Sequence, residues 1–151
     1  MLHVDDFIRM TWVCLLKKKS EAFECFKIFK ELVENEAELR IKCLRSDNGG
    51  EFTSKEFNLY CEEHGIKRQF STARTPQQNG VAERKNRIVM EMARTMLNDS
   101  QLSGKFWGQA IHTSVHILNR GLLRNDTDET PYEMWIGKPA NVKHFRIFGS
   151  K

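Results

Sequence analysis

Hydrophobic positions change their period along the first part of the chain. Residues 2–7 and 11–16 are rich in aliphatic, β-branched and aromatic side chains, which predicts two short strands. After Ser20, the predicted N-cap, apolar residues recur at helical spacing. They form one stripe that consists of Ala22, Phe26, Phe29 and Val33, with Phe23 and Leu32 beside them. This pattern predicts an amphipathic helix.

The next segment repeats the order of strand and helix. Apolar and basic residues alternate over residues 39–43, which predicts a half-buried strand that leads the chain to Asp47. In the stretch TSKEFNLYCEEHG, Thr53 and Glu56 match a capping box, and Gly65 should end the helix. Asp47 is therefore expected where a strand turns into a helix.

A further strand and the longest helix come next. Residues 66–70 predict the strand, and Thr75 as cap with Pro76 at the first helical position predicts the helix start. At about 100° per residue, its core face consists of Val81, Ile88, Val89, Met92, Ala93 and Met96. Alternating strands and helices predict an α/β fold, in one domain over residues 1–151 with no second domain.

The composition fits a globular domain with a hydrophobic core. The chain has 151 residues, 40% of them hydrophobic, and no apolar run long enough to span a membrane. No secretory signal is visible at its start. The cysteines form no C-x-x-C pair, so we expect a reducing compartment, no zinc site and mostly small core residues. They are Cys14, Cys25, Cys43 and Cys61.

The positive charge of the chain is concentrated in one segment. The net charge is +4 and the pI is about 8.9. Between Lys67 and Arg94, seven basic residues stand against two acidic ones, which gives this segment a net charge of +5. The segment fits a surface that meets phosphates, and equally a solvated helix face.

The stretch LRSDNGGEF allows two interpretations of Asp47. Asn48 and Gly49 are typical of a tight β-turn, but helix signals follow where a hairpin would need its second strand. The carboxyl end of a strand that leads into a helix is where open α/β sheets bind ligands. Gly49 and Gly50 would keep side chains away from such a ligand. Asp47 is thus a turn residue, a metal-binding carboxylate, or both.

Glu83 also allows two interpretations. It lies off the core face of the longest helix, on the same side as Arg87, with which it could form an i,i+4 ion pair worth about 0.2–0.5 kcal/mol. Alternatively, it is a metal-binding carboxylate beside groups that hold DNA phosphates. Thirty-five residues lie between Asp47 and Glu83. Asp47 is expected at the end of a strand, and Glu83 is expected near the start of the longest helix.

This spacing and several longer blocks resemble the catalytic core of retroviral and retrotransposon integrases, whose motif is two aspartates and a glutamate with a D-35-E ending. The match to the Copia-type retrotransposon family is close, and it runs from Val4 to Ser150 in family order. The blocks are LRSDNGGEFTSKEF, HGIKRQF, TPQQNGVAERKNR, EMARTML, FWGQAIHTSVHILNR and TPYEMWIGKPANVKHFRIFGS. The resemblance implies an RNase H-like fold, a mixed sheet flanked by helices, within a Gag-Pol polyprotein.

The resemblance also implies a chemistry and its residues. The family carries out 3′-end processing and strand transfer of DNA with Mg²⁺ or Mn²⁺, for which Asp47 and Glu83 would be catalytic metal ligands. Expected DNA contacts are Asn48, Gln77, Gln78, Asn79, Arg84, Lys85 and Arg87. The implied partners are element ends and target DNA, with a homo-oligomer of the intact parent and no membrane. The parent is expected in the nucleus, and otherwise the chain in the cytoplasm.

One departure from the family concerns the start of the chain. MLHVDDFIR matches the family's second strand, so the first, central strand and its catalytic aspartate are expected to be missing from this chain. We therefore expect the chain alone to be inactive. The alternative function is that of a noncatalytic remnant that binds DNA or pairs with intact integrase. Ala73 stands where the family often has proline, a second and smaller departure.

Overall fold

A computed structural model describes residues 1–71 and 76–150 of the chain, and residues 76–79 by their backbone alone. Strands and helices follow one another as β1 (Leu2–Val4), β2 (Thr11–Val13), α1 (Ala22–Ala37), β3 (Cys43–Ser46), α2 (Lys55–Glu63), β4 (Lys67–Phe70), α3 (Pro76–Asp99), α4 (Trp107–Gly121) and α5 (Pro131–Ile136). The order confirms the predicted α/β class. None of the described helices has both the length and the apolar character needed to cross a membrane.

The chain folds into two compact units. The first comprises Met1 and the described residues of 16–81, and the second comprises residues 2–15 together with residues 82–150. Each unit contains one pair of strands and its own cluster of buried apolar side chains. The single integrase domain expected from the sequence stays a prediction.

The first unit is built from α1, β3, α2 and β4. The strands β3 and β4 are parallel, with Ser46 opposite Phe70 at their carboxyl ends. Phe26, Phe57, Cys61 and Ile66 form the core, and the rings of Phe26 and Phe57 stack with their centroids 5.1 Å apart. Phe57 and Cys61 come from the predicted helical pattern, and Gly65 follows the helix with a φ of 66°. The predicted helix stop at Gly65 is confirmed.

The strand β3 begins later in the chain than the strand predicted over residues 39–43. It begins at Cys43, and its inward side chains are those of Leu44 and Ser46, whereas Leu39 is 71% exposed. The cause is a side-chain contact. The Glu34 carboxylate of α1 accepts the backbone N–H of Ile41 at 2.8 Å, so this amide bonds to a helix side chain and not to a neighbouring strand.

The predicted N-caps of α1 and α2 are both wrong. Ser20 lies in a 3₁₀ turn, and the position before α1 is Glu21, which makes no side-chain cap bond. Before α2, the cap is Ser54, whose hydroxyl oxygen accepts the backbone N–H of Phe57 at 3.2 Å. The neighbouring Thr53 hydroxyl points back and donates to the carbonyl oxygen of Gly49 at 3.4 Å.

The cysteines divide between core and surface. Cys61 is buried, as expected of a small core residue, Cys25 is also buried, and Cys14 is half-buried. Cys43 is exposed, because β3 turns this side of the strand outward. The prediction of a core position is therefore wrong for Cys43.

The second unit packs α3 and α4 together and joins them to the antiparallel pair β1–β2. In that pair Val4 stands opposite Thr11. The core consists of Val89, Ala93, Leu97, Ala110, Ile111, Val115 and Leu118. Of the predicted core face of α3, Val89 and Ala93 are fully buried, but Val81 is 36% exposed because it precedes the part of α3 that packs.

Candidate active site

Asp47 lies directly after β3 and begins a turn, residues 47–51, that we call the Asp47 turn. Its side chain is exposed, and Oδ1 accepts the backbone N–H of Gly49 at 3.0 Å. The chain then bends again through a Phe52 N–H bond to the Gly49 carbonyl oxygen at 2.9 Å and enters α2. The hairpin is thus excluded, as predicted, and the turn role of Asp47 is confirmed. Among the described residues, Oδ2 has no hydrogen-bond partner.

Two carboxylates lie near the place where a larger residue at Gly49 would have its side chain. A β-carbon at this position would lie 2.8 Å from Oε2 of Glu51 and 3.0 Å from Oδ1 of Asp47. At Gly50, by contrast, a β-carbon would meet no described atom within 4 Å. The sequence interpretation missed Glu51, although a carboxylate four positions after Asp47 in a glycine turn could have indicated it. Its Oε1 is 3.6 Å from Nζ of Lys19.

The donor chemistry of the Asp47 turn fits a hard divalent cation. Mg²⁺ and Mn²⁺ prefer carboxylate oxygens, and the turn presents one such oxygen of Asp47 that no other described residue engages. In the described parts of the chain, however, no three side chains of the ligating types lie together. The roles of Asp47 and Glu83 as metal ligands therefore stay predictions.

Asn48 lies between the ends of the two parallel strands. Its side chain is exposed, and Nδ2 is 3.5 Å from the carbonyl oxygen of Ser71, the residue that follows β4. This distance is at the limit of a hydrogen bond, so the amide is available to a ligand. Its DNA contact stays a prediction.

Arg68 does not belong to the basic surface in which the sequence interpretation counted it. Its guanidinium lies over the rings of Phe57 and Phe70, with centroid distances of 4.6 and 4.7 Å. It donates to Ser46 and to the Phe52 carbonyl oxygen inside the first unit. The interpretation of residues 67–94 as one continuous phosphate-facing patch is therefore wrong at Arg68.

Glu83 and its basic neighbours occupy the N-terminal half of α3, in the second unit. Glu83, Arg84 and Arg87 are exposed, and no ion pair joins Glu83 to Arg87 among the described residues. The interpretation of Glu83 as an ion-pair partner of Arg87 is therefore wrong. Lys85 is half-buried, and burial, followed by the charge of nearby Arg9, lowers the pKa of its ammonium group.

The remaining predicted contacts lie at the start of α3. Gln77, Gln78 and Asn79 belong to its first turn, but their side chains lie outside the described residues. The predicted cap Thr75 and the departure at Ala73 also lie outside them. Pro76 is the first residue of α3, as predicted.

Comparisons with known proteins agree with these features. A family model described as "Integrase core domain" matches residues 2–76. The chain is 43% identical over 148 residues to the Retrovirus-related Pol polyprotein from transposon TNT 1-94 of Nicotiana tabacum, and 38% identical over 149 residues to that from transposon RE2 of Arabidopsis thaliana. These alignments cover 98% and 99% of the chain but only 11% and 10% of the polyproteins. The chain thus spans about a tenth of the curated relatives it matches.

A solved structure supports the same relationship at the level of the fold. The HTLV-2 integrase catalytic core domain, solved in complex with magnesium in a trimeric form, superposes with a TM-score of 0.66 at 25% identity. The match covers 87% of this chain and 82% of that one. The fold is therefore that of the RNase H-like integrase cores, and the chain belongs to the integrase core family as part of a Copia-type retrotransposon Pol polyprotein.

Proposed function

We propose that this chain supplies two metal-binding carboxylates and a DNA-binding helix to a DNA-integrating polynucleotidyl transferase, which processes 3′ ends and transfers strands. The observation that carries the proposal is the Asp47 turn. It presents an exposed carboxylate at the carboxyl end of β3, with one oxygen fixed by the Gly49 amide and the other without a partner among the residues that the structure describes. Glu83, exposed near the start of α3, would supply the second carboxylate.

The protein groups have separate roles in this proposal. Asp47 would hold a divalent ion through Oδ2, because Oδ1 is already engaged by the turn. A bound Mg²⁺ or Mn²⁺ would stabilise negative charge on the oxygens of the reacting phosphodiester. Arg84 and Arg87, both exposed on α3, would pair with DNA phosphates, and the half-buried Lys85 would add a third positive charge.

Amide side chains would complete the DNA surface. Asn48, with its amide only weakly engaged, lies at the end of β3, and Gln77, Gln78 and Asn79 open α3. Amides donate and accept hydrogen bonds, so they suit both phosphate oxygens and base edges. The magnesium and the trimer of the HTLV-2 core support a divalent metal and a homo-oligomer for the intact parent, whose substrates would be element ends and nuclear target DNA.

A noncatalytic DNA-binding role is the second candidate. It is favoured by one observation, namely that no three ligating side chains lie together among the described residues. Binding of DNA through the basic side chains of α3 does not require a group of metal-ligating side chains. The two candidates differ in whether Asp47 and Glu83 bind metal.

Metal titration of the purified chain tests the proposal. Binding of Mn²⁺ can be followed by paramagnetic broadening of backbone amide signals, including that of Gly49. Asp47→Asn and Glu83→Gln should each weaken binding at least about tenfold, since even indirect partners of metal sites change affinity about 10- to 100-fold. The matched control is Glu91→Gln, an exposed glutamate on the same helix as Glu83, which should bind Mn²⁺ like the wild type.

The outcomes separate the two candidates. Unchanged titration curves for Asp47→Asn and Glu83→Gln would contradict the role of these carboxylates as ligands. A chain that binds DNA while showing no saturable Mn²⁺ site would favour the noncatalytic role.

A further inference from the structure

Arg68 reaches both ends of the Asp47 turn with a single nitrogen atom. Its Nη2 donates to the hydroxyl oxygen of Ser46 at 3.1 Å and to the carbonyl oxygen of Phe52 at 2.9 Å. Ser46 directly precedes the turn and Phe52 directly follows it. The guanidinium thus closes the turn at its base.

Ser46 extends this connection to the backbone of Asp47. The Ser46 side chain is buried, and its hydroxyl donates to the Asp47 carbonyl oxygen at 3.0 Å. The Ser46 hydroxyl oxygen also accepts the hydrogen bond from Arg68. A continuous path therefore runs from the guanidinium through Ser46 to the residue that carries the candidate metal-binding carboxylate.

Aromatic rings fix the orientation of the guanidinium. The Phe57 and Phe70 rings lie 4.6 and 4.7 Å from it, and Nη1 is 3.9 Å from Sγ of the buried Cys61. Such stacking restricts a planar guanidinium to a narrow range of orientations. Its Nε is buried and has no hydrogen-bond partner among the described residues, so packing and not full hydrogen bonding determines its placement.

The charge of Arg68 has no acidic partner in the described part of the chain. Arg68 is half-buried, and taking a cation partly out of water without a carboxylate beside it is unfavourable, whereas a neutral side chain could pack there without this cost. Charged donors form shorter and stronger hydrogen bonds than neutral donors do. Arg68 therefore forms two strong hydrogen bonds with the base of the Asp47 turn, to Ser46 and to Phe52.

We propose that Arg68 is a positioning residue, which holds the Asp47 turn closed so that the Asp47 carboxylate faces the metal. This inference rests on the proposed function of Asp47 as a metal ligand. The planar fork is required because one atom must reach two acceptors while the guanidinium stays in contact with two rings. Lysine, with a tetrahedral ammonium group, does not meet this requirement.

Hydrogen exchange in the metal-free chain gives the first test. The reporters are the backbone amides of Gly49 and Phe52, which bond within the turn. Arg68→Gln and Arg68→Lys should each speed exchange at both amides by about tenfold, while amides of α2 keep their protection. The control is Ile66→Val, a buried residue of the same core that makes no side-chain bond to the turn, and it should leave both reporters unchanged.

Mn²⁺ titration of the same variants gives the second test. Arg68→Gln should weaken Mn²⁺ binding by about 10- to 100-fold, in the range found for partners that orient metal ligands. Faster turn exchange with unchanged Mn²⁺ affinity would overturn the positioning role. A wild-type chain that binds no Mn²⁺ would instead refute the proposed function, and the exchange data would still show whether Arg68 closes the turn.

Three other results would also overturn the inference. The first is wild-type exchange and affinity in Arg68→Lys, because the geometry of the guanidinium would then be irrelevant. The second is equal acceleration of exchange across β3, β4 and α2, which would indicate general destabilisation. The third is failure of both Arg68 variants to fold, which would make Arg68 a residue of core stability.

Discussion

Thr11 and Asn119 bond to each other in both directions. The backbone N–H of Thr11 donates to Oδ1 of Asn119 at 3.0 Å, and Nδ2 of Asn119 donates to the Thr11 carbonyl oxygen at 2.7 Å. Both residues are buried, at 1% and 3% exposure. The Asn119 side chain of α4 thus pairs with the backbone N–H and C=O of Thr11 in β2, as the backbone of a neighbouring strand would. Both buried backbone groups of Thr11 are satisfied.

Asn119→Ala should destabilise the chain by about 2–4 kcal/mol, because it leaves a buried N–H and a buried C=O of Thr11 without partners. Urea unfolding measures the loss. Asn125→Ala, at an exposed asparagine of the loop after α4, is the matched control and should change stability by less than about 0.5 kcal/mol. A similar effect of the two substitutions would show that the reciprocal bonds contribute little.

Gly49→Ala should weaken Mn²⁺ binding by an order of magnitude, roughly, without unfolding the chain. The φ of Gly49 lies outside the left-handed region, so the backbone accepts alanine, but the new methyl group collides with the Asp47 and Glu51 carboxylates. Gly50→Ala is the control, because its methyl group meets none of the described atoms within 4 Å. Equal Mn²⁺ affinity in the two variants would contradict a role for the crowding at Gly49.

Arg84→Glu with Arg87→Glu should weaken DNA binding and its dependence on salt. Each phosphate contact contributes about −0.9 to the slope of log K against log salt concentration, so the slope should become shallower by about 2. Lys85 is left unchanged, because it is half-buried and its replacement would disturb the fold. Lys138→Glu with Lys143→Glu makes the same change of charge at exposed sites and should keep the wild-type slope. Binding that does not depend on salt would refute phosphate contacts altogether.

The stability of the chain should fall as the pH falls from 6.5 to about 4. Burial lowers the pKa of His3 from 6.5 to about 4 in the folded chain. Between these values the unfolded chain binds a proton at His3 that the folded chain does not, so acid favours unfolding. Urea unfolding across this range should show a smaller loss for His3→Gln than for the wild type. His112→Gln, at an exposed histidine, should behave like the wild type.

The sequence predicted those helices in which the buried apolar residues recur at regular helical spacing. The spacing of Phe57 and Cys61 located α2, and Val89 with Ala93 located the packed face of α3. Asp47 was correctly expected at the end of a strand, because helix signals follow its turn. These features depend on local patterns, which a single sequence contains.

Contacts between distant residues escaped the sequence interpretation. The alternation before β3 suggested a strand from Leu39, but Glu34 takes the Ile41 amide. The charge of Arg68 suggested a phosphate contact, whereas its guanidinium contacts two phenylalanine rings and donates to the base of the Asp47 turn. The charge of a residue and the spacing of apolar positions do not indicate where the end of a long side chain lies. Residues that are distant in sequence and close in the fold determine its position.

The bond between Thr11 and Asn119 spans 108 positions of the chain, which bears on the order of folding during synthesis. Residues 16–81 are continuous and can pack once they have left the ribosome, whereas β2 must wait for α4. At about 5–20 residues per second, that wait is on the order of 5–20 s. Through this interval the β1–β2 hairpin is open to chaperones or to other strands. Pulse-labelled hydrogen exchange on nascent chains should therefore find α2 protected before Thr11.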